Sequence, residues 1–171
     1  MLVFLIGMMG SGKTTVGQYL ASRLSIPFYD TDYLIEKATG ETVSSLFESH
    51  GEAFFRGLEA QLMNQWSMDE GVVATGGGLP YYSGLMERLN TLGITVYLDC
   101  PVEVLVSRLQ GTSNRPLLAN DATEINTKLA SILSTRENIY QKSQWCVDAS
   151  KDARSVAEGI LTLLKSRNQP T

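Results

Sequence analysis

Gly7-Met8-Met9-Gly10-Ser11-Gly12-Lys13-Thr14 is the stretch of this chain richest in chemistry. It follows five apolar residues, Leu2 to Ile6, and opens into a helical pattern. Strand, glycine loop and helix in that order are what a phosphate-binding loop requires. The N–H groups of such a loop, and of the helix start behind it, attract anionic oxygens. Its glycines admit a phosphate where a Cβ would clash. Lys13 is placed to reach β- and γ-phosphates, and the Thr14 hydroxyl to hold Mg²⁺. A plain Gly/Ser turn is the competing reading, but Lys-Thr at a helix entrance has no turn-making purpose.

Two acids, Asp30 and Asp32, follow a very short strand pattern at Phe28-Tyr29. One carboxylate near a bound Mg²⁺ can position the metal through water, and the other can accept a proton from an attacking hydroxyl. Asp is also a common helix cap, and for Asp32 alone capping and catalysis weigh the same. Arg56 and Glu59 lie on a predicted helix whose core stripe reads Phe54, Leu58, Leu62 and Trp66. Both charges fall opposite that stripe, where a solvated i,i+3 pair is expected. The alternative is a guanidinium held by Glu59 and aimed at a carboxylate. Arg136 falls in line with Ile125, Leu129, Ile132, Leu133 and Tyr140. A charge on such a stripe either snorkels or faces an anion, and the anion is the favoured reading. Gly76-Gly77-Gly78 at a strand end can expose N–H groups or let a ligand approach. Arg108 and Arg115 bracket Gln110 to Asn114, and an arginine there can close over a γ-phosphate.

These residues need a scaffold. A chain of 171 residues, 43% hydrophobic and 19% charged, fits one α/β domain with a sizeable core. The net charge of −4 disfavours a broad nucleic-acid surface, so an anion must be held by a few placed cations. Cys100 and Cys146 fall in strand-like stretches and are expected as core thiols in a reducing compartment. His50, the single histidine, is expected at the surface. No basic n-region precedes the first apolar run, which is too short for a signal peptide or membrane span. A soluble, cytoplasmic protein without membrane or nucleic-acid partners is therefore expected.

Strand patterns at 2–6, 28–29, 72–75, 94–98 and 145–147 alternate with helical ones at 12–24, 32–38, 43–49, 52–68, 85–89, from Pro101, 122–141 and 152–165. That alternation implies a parallel sheet covered on both faces, with ligands at the carboxyl ends of its strands. The phosphate loop, Asp30 to Asp32 and the triple glycine all fall at such ends.

As a whole the chain resembles the shikimate kinases, small P-loop kinases with the nucleoside monophosphate kinase fold. The resemblance runs from Leu2 to about Leu164. It rests on Gly7–Thr15, Phe28-Tyr29-Asp30-Thr31-Asp32, Phe55-Arg56-Gly57-Leu58-Glu59, Thr75-Gly76-Gly77-Gly78, Arg115-Pro116-Leu117-Leu118, and Arg136 with Tyr140. Each motif is modest; the set in this order is specific. It implies a three-layer α/β P-loop fold of one domain, 1–171, with a five-stranded parallel sheet flanked by helices. A small helical substrate-binding region at about 31–60 and a short lid at about 110–122 complete it.

The resemblance further implies ATP- and Mg²⁺-dependent phosphorylation of the shikimate 3-hydroxyl by a monomer. Gly10, Ser11, Gly12, Lys13, Thr14 and Thr15 would hold the ATP phosphates, with Thr14 on Mg²⁺ and Asp30 behind it. Asp32 would bind the acceptor hydroxyl and is the candidate base. Arg56 and Arg136 would grip the shikimate carboxylate, with Gly76, Gly77 and Gly78 alongside and Glu59 orienting Arg56. Arg115 would belong to the lid. Arg108 would stack on adenine opposite the loop after Asp148, where Asp152 would contribute through its backbone. Departures are few: Thr14-Thr15 where Ser-Thr is common, Leu79-Pro80 after the glycines, and Gln144 where a small residue is usual.

Overall fold

The computed structural model describes residues 1–82, 84–110 and 122–167. Five strands, β1 (Leu2–Ile6), β2 (Phe28–Asp30), β3 (Gly71–Ala74), β4 (Ile94–Asp99) and β5 (Trp145–Asp148), form one parallel sheet in the order β2-β3-β1-β4-β5. All five β1 residues are buried, as the central strand of a sheet covered on both faces must be. The order reverses beside β1, and the crevice at that point lies beyond its carboxyl end.

The helices are α1 (Lys13–Leu24), α2 (Thr31–Thr39), α3 (Val43–His50), α4 (Glu52–Asn64), α5 (Leu85–Leu92), α6 (Val102–Gln110), α7 (Ala122–Tyr140) and α8 (Ala153–Arg167). Most apolar side chains enter one core around the sheet. Ile35, Leu46 and Phe55 form a second, smaller core between α2, α3 and α4. Among the described residues no helix is long and apolar enough to cross a membrane.

Two expectations are corrected. Helix α4 ends at Asn64, and its buried side chains are Phe55, Glu59 and Met63, whereas Phe54 is 45% exposed. Trp66 is buried, but it reaches Phe4 and Tyr29 from beyond the helix end. Counting Phe54 as core turned the apparent stripe away from the true one. Cys100 is a core thiol as expected, but Cys146 is exposed, because β5 is an edge strand that pairs with β4 alone. His50 stands at the surface, with its ring 4.6 Å from that of Phe54 and Nε2 3.6 Å from Glu41.

Candidate active site

The turn out of β1 needs backbone that side-chain-bearing residues avoid: Gly10 and Gly12 have φ of +81° and +95°. Helix α1 therefore starts at Lys13 with its first N–H groups facing the loop. Lys13 Nζ donates to the carbonyls of Gly7 at 2.9 Å and Met8 at 2.7 Å. The Ser11 hydroxyl is buried and has no hydrogen-bond partner among the described residues. Thr14 Oγ1 donates to Asp30 Oδ2 at 3.2 Å. A hydroxyl and a carboxylate are hard oxygen donors, and that chemistry suits Mg²⁺ held jointly with phosphates.

Asp30 also settles the capping question. Its Oδ1 accepts from the backbone N–H of Asp32 at 3.0 Å and of Tyr33 at 3.4 Å, so Asp30 is the N-cap of α2. The Asp32 carboxylate turns instead toward the triple glycine. A Cβ on Gly76 would lie 2.7 Å from Asp32 Oδ1 and 2.8 Å from Glu59 Oε1, so glycine is required for both acids to converge there. The Thr31 hydroxyl accepts from Gly76 N–H at 2.9 Å and holds this loop to α2.

Arg56 and Glu59 are not a solvated pair. Arg56 Nη1 donates to Glu59 Oε2 at 2.7 Å, and the Glu59 side chain is 0% exposed. Glu52 accepts from Arg56 Nε at 3.2 Å and Nη2 at 2.9 Å. The guanidinium carbon lies 5.8 Å from the Phe47 ring centre and 5.7 Å from that of Phe55. Two acids and two rings thus fix a planar cation in one orientation. Its face rests on Gly78, where any Cβ would overlap it. Burial pushes the Glu59 carboxyl up to about 7, opposed by the hydrogen bond and charge of Arg56 and the charge of Arg136, and aided by the charge of Asp32.

Arg136 is half-buried and lines the same cleft. A Cβ on Gly77 would lie 3.4 Å from the Gly7 carbonyl oxygen and 3.6 Å from both Met9 N and Arg136 Nη1. Phosphate loop and arginine therefore meet across one glycine. On the other side Arg108 Nη1 donates to the Ser11 carbonyl at 3.4 Å, and Nη2 to those of Ser150 at 3.3 Å and Lys151 at 2.8 Å. It bridges the phosphate loop to the loop after β5 rather than standing opposite it. The Asp152 carboxylate accepts from Ser155 N–H at 3.0 Å and Oγ at 2.6 Å, at the start of α8.

One cleft of about 950 Å³ contains every site residue expected above except Arg115. Arg115 and the lid region between its ends lie outside the described residues. Sequence reasoning missed Phe47, Phe55 and Glu52 around Arg56. Glu52 had a signal, since i and i+4 meet on a helix; Phe47 had none. Gln144 is remote: its side chain donates to the Asn90 carbonyl at 3.3 Å and that of Gly93 at 3.0 Å.

A family model described as shikimate kinase matches residues 9–165. The chain belongs to the shikimate kinase family. The shikimate kinase of Aquifex aeolicus (strain VF5) is 38% identical over 166 residues, covering 96% of each chain. That of Microcystis aeruginosa (strain NIES-843 / IAM M-2473) is 39% identical over 165 residues, 95% of this chain and 85% of the relative. Among solved structures, shikimate kinase from Acinetobacter baumannii in complex with shikimate superposes with a TM-score of 0.89 at 36% identity, over 99% of this chain and 95% of that one. A deoxyadenosine kinase from M. mycoides, 14% identical with a TM-score of 0.59, shares the fold alone. The three-layer architecture expected for shikimate kinases is thus the one observed: a five-stranded parallel sheet between helices.

Proposed function

We infer that this protein transfers the γ-phosphoryl group of ATP to the 3-hydroxyl of shikimate, giving 3-phosphoshikimate and ADP in aromatic amino acid biosynthesis. The observation that carries the reading is the meeting at Gly77 of the phosphate loop with a cationic pocket that also holds a carboxylate. Such a pocket matches an acceptor with one carboxylate and several hydroxyls.

In this reading Gly10 to Thr15 cradle the ATP phosphates, and Lys13 exchanges the Gly7 and Met8 carbonyls for phosphate oxygens. Thr14, with Asp30 behind it, would hold Mg²⁺, which when bound neutralises charge on those oxygens. Arg56 and Arg136 grip the acceptor carboxylate and turn its 3-hydroxyl toward Asp32. A bond forms from that oxygen to the γ-phosphorus as the bond from phosphorus to the ADP oxygen breaks. The hydroxyl proton passes to the Asp32 carboxylate. Lys13 and the lid's Arg115 stabilise the transferring charge. Arg108 and the backbone near Asp152 hold the adenine side. We place the reaction in the cytoplasm and in a monomer of one domain, whose residues 31–60 bind the acceptor and 110–122 form the lid.

ADP release with Mg-ATP, compared across shikimate, quinate, gluconate and no acceptor, tests this directly. Shikimate is expected to stimulate release most strongly; no stimulation by it would overturn the assignment.

The buried acid beside Arg56 gives a second expectation. The unfolded chain binds the Glu59 proton near its ordinary 4.5, the folded protein near 7. Between those values the folded state holds more protons, so this group makes stability rise as pH falls. Urea midpoints of the unliganded protein at pH 7.5 and pH 5.5 should show that gain, and Glu59→Gln should lose it. An equal gain in both proteins would show that Glu59 titrates at its ordinary value.

A further inference from the structure

We propose that Tyr140 is a positioning residue of the acceptor pocket, acting through the Gly77 carbonyl rather than on the acceptor; the proposal rests on the reading of the cleft given above. Tyr140 is the last residue of α7 and is fully buried. Its hydroxyl donates to Gly77 O at 2.5 Å, across 63 residues of sequence, and lies 3.9 Å from Met8 Sδ in the phosphate loop. The ring packs on Tyr97 of β4, with centroids 5.3 Å apart. Burial pushes the phenol upward in pKa, opposed by the charge and hydrogen bond of Arg136, which stands one turn back on α7.

The glycine loop has no side chains of its own to define its shape. Gly76 N–H is held by Thr31. The Gly76 carbonyl accepts from Leu79 N–H and the Gly78 carbonyl from Tyr81 N–H, each at 3.1 Å and each within the same turn. The Gly77 carbonyl is tied instead to a distant helix, and through it to Arg136. A peptide is planar, so fixing the Gly77 carbonyl fixes the Gly77–Gly78 plane. That sets the Gly78 N–H, which points away from α7, and the Gly78 α-carbon on which the Arg56 guanidinium rests. One hydroxyl thereby holds Arg136 directly and, through the Gly77–Gly78 peptide, the glycine surface against which the already fixed Arg56 lies. Tyr140 touches neither the reacting atoms nor the nucleotide side beyond Met8.

Tyr140→Phe removes the donor and keeps the ring. The expected result is a shikimate KM raised about 10-fold, with kcat within about 3-fold and the ATP KM within about 2-fold. Tyr97→Phe removes a neighbouring hydroxyl, bonded to Asp99 at 3.3 Å, and should leave both KM values unchanged. A Tyr140→Phe protein that loses thermal stability but keeps both KM values overturns the proposal, as does one in which both KM values rise together. Should the variant not fold, difluorotyrosine placed at position 140 keeps the hydroxyl and lowers its pKa. Ionisation of the phenol removes the same donor, so the shikimate KM is expected to rise at alkaline pH; the difluorotyrosine protein should show that rise at lower pH than wild type, and coincident profiles overturn the proposal. A wild-type protein without shikimate-dependent ADP release removes both readings; an active wild type matched by Tyr140→Phe removes this one alone.

Discussion

Replacing Asp32 by asparagine is expected to lower kcat by about 10³-fold while the affinity for ATP stays within about 2-fold. The variant is informative because the residue that caps α2 is Asp30, not Asp32. Its carboxylate converges with Glu59 on Gly76, in the part of the cleft that faces the phosphate loop. An amide of the same shape can still hydrogen-bond an acceptor hydroxyl, but it cannot take the proton. Single-turnover measurement with saturating shikimate isolates that loss from binding, and nucleotide titration checks the other half. A kcat within about 3-fold of wild type would remove Asp32 as the proton acceptor.

A second large effect is expected from one methyl group. In Gly78→Ala the new Cβ falls on the Arg56 guanidinium, which Glu52, Glu59, Phe47 and Phe55 hold on its other sides. Arg56 cannot yield without breaking its bond to Glu59, whose side chain is wholly buried. A charge-assisted pair to the acceptor carboxylate is then lost or misaimed, and such bonds contribute about 1.5–3 kcal/mol. The shikimate KM should rise by about 10²-fold, with the ATP KM unchanged. Steady-state kinetics with each substrate varied in turn measures this. Equal effects on both substrates would mean that the whole loop has collapsed, and no effect would mean that Arg56 does not grip the acceptor.

What could be read in the sequence was what is local. The phosphate loop is eight consecutive residues whose backbone and side chains act together, so its order alone reveals it. The parallel sheet follows from alternation of short apolar runs with helical periods. Glu59 was misjudged because Phe54, an exposed aromatic, was counted as core and turned the helix by about a quarter. Cys146 looked like a core residue because an edge strand carries the same apolar letters as a central one. Nothing in the local pattern pairs Tyr140 with Gly77: their contact exists because α7 packs on the turn at Leu79–Tyr81 that follows the glycine loop, and that is topology rather than propensity. Arg136 was legible for the opposite reason, since a charge on an apolar stripe is an anomaly within its own helix.

The two cores divide the cleft between them. Lys13 and the glycine loop are seated on the sheet, while Asp32 and Arg56 ride on helices α2 and α4, whose common packing with α3 is Ile35, Leu46 and Phe55. Three buried side chains with Val43, Phe47, Leu58 and Leu62 around them make a far smaller core than the one around the sheet, and a smaller core resists local opening less. The acceptor half is therefore the softer half, and helix α4, with Phe55 in the small core and Met63 in the large one, is the lever between them. A conservative cut such as Leu46→Ala, which touches no substrate, acts on acceptor affinity from below.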